Sequence, residues 1–130
     1  MVKLSEEIKE AITTEFDQWK DTMYCGQDKK ERMKRGAFYT PPSLIIRMLE
    51  KLESLEGTIC DPCLGAGGLI AAAIIAGADP KKCYGIELDP ATHALATKRL
   101  SKLGVPSENI ILGSCFDEAC WEKIKDDDNN

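Results

Sequence analysis

No stretch of this 130-residue sequence is long and apolar enough to cross a bilayer, and no apolar signal region opens it. The expectation is a protein without a membrane partner in the reducing cytoplasm, with its six cysteines as thiols rather than disulfides. Metal signatures are thin. Cys60-x-x-Cys63 has a metal-like spacing, but no second close pair and no His pair accompany it, and Cys60 falls on an apparent strand. A small buried thiol accounts for it, and no metal is expected. The single histidine, His93, has no Cys or acid at ligand spacing on its helix face, so it reads as a solvated helical residue. A surplus of positive charge is also lacking: a formal charge of −5 argues against a surface that grips nucleic acid all over. The sign is unevenly spread, about +3 from Cys25 to Arg35 and about −4 from Asp117 to Asn130. The basic run reads as a solvated segment rather than a phosphate site. There are no internal repeats, and low complexity is confined to the tail from Asp126 to Asn130.

What is present is enough apolar material, 43% of the chain, for one domain with a core. Leu4, Ile8, Ile12, Phe16, Trp19 and Met23 fall three and four apart, with Glu6 and Glu7 in the first turn, which predicts an amphipathic helix from Leu4 to Tyr24. Cys25 to Gly36 reads as a linker or a frayed helix. Thr40 before Pro41 predicts an N-cap and a first-turn proline, with Leu44, Ile45, Met48, Leu49 and Leu52 as the buried stripe of the helix that follows.

Three strand-then-helix units come next: Thr58 to Cys60 with Leu69 to Ala76, Cys83 to Leu88 with Ala91 to Leu103, and Asn109 to Leu112 with Asp117 to Lys125. Gly77 and Gly104 punctuate the first two helices. Short apolar strands alternating with helices predict an α/β domain with a parallel sheet and right-handed crossovers. Trp19 and Trp121 fall among helical apolar positions and read as packing residues. The division is residues 1–35, an N-terminal helix and basic linker; 36–125, the α/β domain; and 126–130, an acidic tail.

Chemistry concentrates in the first unit. The strand Thr58-Ile59-Cys60 runs into Asp61-Pro62-Cys63-Leu64-Gly65-Ala66-Gly67-Gly68 and then an apolar helix. Gly65 and Gly67 allow backbone geometry that a side chain would block, and Gly68 permits close approach as the helix begins. Such a turn brings bare N–H groups and a helix N-terminus to a nucleotide-like ligand; the bland alternative is the same turn with no ligand. The second strand ends Gly85-Ile86-Glu87-Leu88-Asp89-Pro90. An acid there, Glu87, is placed to read a ribose diol, whereas Asp89 is more simply the N-cap of the helix starting at Pro90.

Taken in order, Gly36-Ala37-Phe38-Tyr39-Thr40-Pro41-Pro42, Asp61-Pro62-Cys63-Leu64-Gly65-Ala66-Gly67-Gly68-Leu69, Gly85-Ile86-Glu87-Leu88-Asp89-Pro90 and Gly113-Ser114-Cys115-Phe116 resemble the first four motifs of adenine-specific DNA methyltransferases. The style is that of gamma-type enzymes and of type I restriction modification subunits, over about residues 36 to 117. The resemblance implies a three-stranded, Rossmann-like half of a class I methyltransferase sheet, order 3-2-1, with helices on both faces and an extra N-terminal helix. It implies S-adenosylmethionine as cofactor, with Phe38, Tyr39 and Thr40 at its methionine end and Asp61, Pro62, Gly65 and Gly67 beneath its amino-acid moiety. It also implies Glu87 on the ribose hydroxyls, Leu88 on the adenine, and Ser114 and Phe116 in the segment beside the adenine amine. Ser114 stands where the family commonly has Asp, a departure worth about 1–2 kcal/mol of cofactor affinity. Ala66 replaces the usual Thr or Ser, a milder loss.

The family's Asn/Asp-Pro-Pro-Tyr/Phe element, which holds the flipped adenine, does not occur in these residues, and neither does a target-recognition region. No catalytic residue is therefore assigned. The expectation is the cofactor-binding part of a truncated or split adenine-specific methyltransferase, unable to transfer methyl alone. In that sheet order strand 1 is an open edge, to be covered by a protein partner or a second copy, with DNA reached weakly or through that partner. The alternative from a different class is a non-catalytic, methyltransferase-like interaction protein that binds or inhibits a restriction-modification complex. A small independent methyltransferase for another substrate is the least favoured reading, because fold-level analogy cannot supply missing catalytic groups.

Overall fold

A computed structural model describes residues 1–23 and 40–125. Among the described residues the α-helices and strands run in the order α1 (Glu6–Met23), α2 (Pro42–Glu50), β1 (Ile59–Asp61), α3 (Gly68–Ile75), β2 (Cys83–Glu87), α4 (Pro90–Ser101), β3 (Ile110–Leu112) and α5 (Glu118–Glu122), with short 3-10 turns before β2 and β3. The linker from Cys25 to Gly36, Phe38, Tyr39 and the acidic tail lie outside the described residues.

The sheet is parallel throughout, with β2 central, so the order reads 3-2-1 from one edge. Register pairs Ile59, Cys60 and Asp61 with Cys83, Tyr84 and Gly85, and then Gly85, Ile86 and Glu87 with Ile110, Ile111 and Leu112. Cys83 to Ile86 are all buried, as a strand flanked on both edges and covered on both faces must be. Alternation sends successive side chains to opposite faces. Cys83 and Ile110 join the large core beneath α1 to α4, while Ile86 and Ile111 pack with Cys120 of α5 on the other face. Helices thus cover both faces, and an N-terminal helix is added: a Rossmann-like half-sheet, as expected.

Local rules account for most boundaries. The α3 sequence Gly-Leu-Ile-Ala-Ala-Ala-Ile-Ile has no polar face, and Ile70 to Ala73 are all buried. It ends in a Schellman motif, with Gly77 at φ +121°, Ala78 N donating to Ala73 O at 2.9 Å and Gly77 N to Ile74 O at 3.0 Å. Helix α4 ends the same way through Gly104 and Val105, whose N–H reaches Leu100 O at 3.1 Å. At its start Asp89 caps as expected, its Oδ2 accepting from Thr92 N at 2.9 Å and from Thr92 Oγ1 at 2.7 Å.

Four expectations are corrected. Thr40 is not the cap of α2. Two prolines follow it, the residue before a proline is driven to extended backbone, and the cap position passes to Pro41 (φ −69°, ψ 153°) with no side-chain bond. The stripe of α2 is narrower than its apolar content: Ile45 and Leu49 are buried, while Leu44, Met48 and Leu52 form an exposed row. His93 is not simply solvated, since its Nε2 lies 2.7 Å from Ile110 O and ties α4 to β3. Helix α5 is shorter than Asp117 to Lys125, with Asp117 as its cap, accepting from Ala119 N at 3.0 Å. No described helix is long and apolar enough to cross a membrane.

Candidate functional site

Parallel strands deliver their C-terminal ends to one edge of the sheet, and the chemistry-bearing turns collect there. After β1 the chain turns at Asp61, whose Oδ1 accepts from Cys63 N at 3.0 Å. Leu64 N then donates to Ile86 O at 3.0 Å and Gly65 N to Glu87 Oε1 at 2.9 Å, so the glycine turn is stitched onto the end of β2. The other oxygen, Glu87 Oε2, accepts from Asp89 N at 2.8 Å. Glu87 therefore holds two loops together, a role that its position in the sequence did not announce.

Two glycines are required for different reasons. Gly65 has φ +58° and no atom within 4 Å of where a Cβ would stand, so its bare backbone faces open space. Gly67, at φ +86°, caps α3 and is pressed against Leu100, which a Cβ would meet at 3.0 Å. Gly65 borders the cavity, and Gly67 serves the packing behind it.

The cavity itself, about 240 Å³, opens between the glycine turn, α2 and α1. Thr40, Asp61, Gly65 and Leu69 line it together with Phe16 of α1 and Arg99 of α4. Thr40, Asp61 and Gly65 are thus brought together as the sequence indicated. Glu87, Leu88, Ser114 and Phe116 do not border this cavity. They stand beyond the turn at the ends of β2 and β3, where Leu88 is 70% and Phe116 94% exposed. Ser114 Oγ accepts from Phe116 N at 3.1 Å, which shapes that rim. Pro62 lies in the turn and does not border the cavity either.

The electrostatics are acidic. Burial, opposed by the Cys63 N–H bond and assisted by the nearby Glu87 charge, raises the Asp61 carboxyl above its ordinary value. Burial, with the adjacent Asp61 charge, pushes the half-buried Cys60 thiol up to about 11, which disfavours the thiolate. Desolvation and the adjacent Cys115 thiol, with which its side chain hydrogen-bonds, raise Cys63. Among the described residues no group of three or more His, Cys, Asp or Glu side chains could hold a metal ion.

Sequence reasoning missed Arg99 and Glu15. The guanidinium is 1% exposed and pairs with Glu15 through two bonds of 2.7 Å, Nε to Oε1 and Nη2 to Oε2, while Nη1 donates to Ala66 O at 3.1 Å. The signal was available: Glu15 lies between Ile12 and Trp19 on the apolar stripe of α1, and Arg99 lies beside Leu100 on the buried face of α4. Two opposite charges, each on the wrong face of its helix, are the sequence trace of a buried pair.

The family model described as N-6 DNA Methylase matches residues 9–128. The type II methyltransferase M.VspI of a Vibrio species is 35% identical over 80 residues, 59% of this chain and 20% of that protein. The type I restriction enzyme HindI methylase subunit of Haemophilus influenzae is 28% identical over 81 residues, 58% of this chain and 18% of that protein. The chain therefore matches about a fifth of the length of either relative. No solved structure matches it significantly. Because the family match runs from α1 through the glycine turn and Glu87 to the residues beyond α5, the fold and its candidate site fall within one family, and the chain belongs to the N-6 DNA methylases.

Proposed function

We infer that this chain binds S-adenosylmethionine and supplies the cofactor half of an adenine N6 methylation of DNA. The observation that carries the reading is the turn after β1. It lines a cavity with the Asp61 carboxylate and the bare Gly65 backbone, and it is hydrogen-bonded to the acid at the end of β2. The cofactor carries a sulfonium cation and an ammonium, and two neighbouring carboxylates at one strand edge complement that charge. A cation there also relieves the strain between Asp61 and Glu87. The exposed apolar side chains of Leu88 and Phe116 stand where an adenine ring would cover them.

Gly65 and Asp61 would hold the amino-acid end, Thr40 with Phe38 and Tyr39 would flank it, Glu87 would accept from the ribose hydroxyls, and Ser114 would offer a single hydroxyl to the adenine. When bound, the cofactor supplies an electrophilic methyl group. The 130 residues contain no Asn/Asp-Pro-Pro-aromatic element, so in this reading the groups that hold the target adenine lie outside these residues, and the open edge of β1 is where we place the strand that carries them. Among the described residues β1 pairs with β2 and with no other strand.

Calorimetric titration of the full chain with S-adenosylmethionine and S-adenosylhomocysteine tests the reading. Binding of both in the micromolar range is expected. A folded chain that takes up neither refutes it and turns attention to a non-catalytic, partner-binding role. Methylation of adenine DNA by these residues alone would refute the division of labour.

A further inference from the structure

One buried ion pair joins three segments of the chain beside the cavity. Arg99 comes from α4, Glu15 from α1 and the carbonyl of Ala66 from the glycine turn, and the guanidinium joins them through bonds of 2.7, 2.7 and 3.1 Å. The pair is dry: the side chains are 1% and 13% exposed. The ring of Trp19, one helical turn beyond Glu15, lies 6.0 Å from the guanidinium carbon and 5.1 Å from Lys102 Nζ, which closes the outer side. Phe16, the neighbour of Glu15, forms part of the cavity wall, as do Ala66 and Arg99.

The geometry of the turn gives this contact its meaning. Gly65 and Gly67, both at positive φ, bend the chain on either side of Ala66. Bonds from Leu64 N, Gly65 N and Gly67 N hold the turn against β2 and itself, and the Arg99 Nη1–H adds a side-chain hold on the Ala66 carbonyl from α4. The same Arg99 is tolerated in the core only while Glu15 neutralises it. The docking of α1 and the shape of the turn are therefore joined through one planar side chain, whose fork grips the Glu15 carboxylate with two parallel bonds and still reaches Ala66 O, a fixed geometry that a lysine lacks.

We propose that Arg99 is a positioning residue for cofactor binding: by pairing with Glu15 and holding Ala66 O, it couples the seating of α1 to the glycine turn that receives the cofactor. The inference rests on the cofactor reading above. Coupling of this kind is reciprocal, so the cofactor must also tighten α1 by the factor that α1 lends to the cofactor.

The test replaces both partners with apolar residues of similar reach, Glu15→Leu with Arg99→Met, which leaves no buried charge unpaired and preserves folding. S-adenosylhomocysteine is titrated into the full wild-type and double-variant chains. Hydrogen exchange of the α1 amides is followed with and without it, and the Ala66 ¹³C carbonyl resonance reports the hydrogen bond itself. The expected result is a folded variant whose dissociation constant rises about tenfold or more, the scale of one lost charge-assisted hydrogen bond. Its Ala66 carbonyl moves upfield, and the ligand-induced protection of α1 seen in wild type disappears. A folded variant that binds within about twofold of wild type overturns the coupling and leaves the cofactor reading standing. Failure of wild type itself to bind overturns both.

Discussion

Glu87→Ala is the perturbation whose outcome the structure fixes most narrowly, because it removes two hydrogen bonds along with the group we propose to read the ribose. The carboxylate accepts from Gly65 N at 2.9 Å and from Asp89 N at 2.8 Å, one bond per oxygen. A hydrogen bond to a charged acceptor contributes about 1.5–3 kcal/mol, and the half-buried setting lets water recover part of it, so the pair is worth about 2–4 kcal/mol. For a chain of this size that corresponds to a fall in Tm of about 8–16 °C. Urea unfolding followed by far-UV circular dichroism measures it. Glu87→Gln separates the two roles: its amide oxygen keeps the Gly65 bond while its NH₂ faces the Asp89 N–H, so about half of the loss is expected. A folded Glu87→Gln chain that fails to bind S-adenosylmethionine assigns the deficit to ribose recognition. An unchanged urea midpoint for Glu87→Ala would show that the two short contacts carry no load and would refute the view of Glu87 as the clasp between the loops.

Two further outcomes follow from the same edge of the sheet. Because the folded Asp61 carboxyl is raised above 3.8, the native state binds more protons than the unfolded chain just above that pH, and stability falls as pH rises through the folded value. Asp61→Asn, which keeps the acceptor for Cys63 N, should match or exceed wild-type stability near pH 7, lose that advantage toward about pH 4, and weaken cofactor binding; unfolding curves at the two pH values check the sign. Gly85→Ala should cost about 1–3 kcal/mol by overpacking, since its Cβ would lie 2.5 and 2.6 Å from the Leu64 methyls, and Leu64→Ala in the same chain should recover part of it. Additive losses in the urea midpoints would show that the two residues do not contact.

The alternation of strand and helix, and with it the parallel sense of the sheet, was legible because Cys83 to Ile86 reads as a continuous apolar run, Gly77 and Gly104 mark Schellman ends, and Asp89 precedes Pro90 in the cap pattern, while the order 3-2-1 came from the resemblance. These signals are local, and so they survive without knowledge of the rest of the chain. What escaped was decided across the fold. Whether Leu44 or Ile45 is buried depends on the angle at which α2 meets α1 and α3, which no periodicity in nine residues fixes. His93 meets Ile110 only because α4 packs over β3. Glu87 was legible as an acid at a strand end, but its clasp on Gly65 joins positions 22 apart. Arg99 and Glu15 were hidden by habit, since charges on helices are taken for solvated ones.

The pairing of Glu15 with Arg99 also sets a timetable. The two residues are 84 positions apart, so a ribosome adding about 5–20 residues each second completes α1 on the order of ten seconds before its cation exists. Through that interval Ile8, Ile12, Phe16 and Trp19 have no α4 to rest on. Helix α1 thus waits for its buried cation, and a nascent protein can own a finished helix and a finished glycine turn before it owns a site.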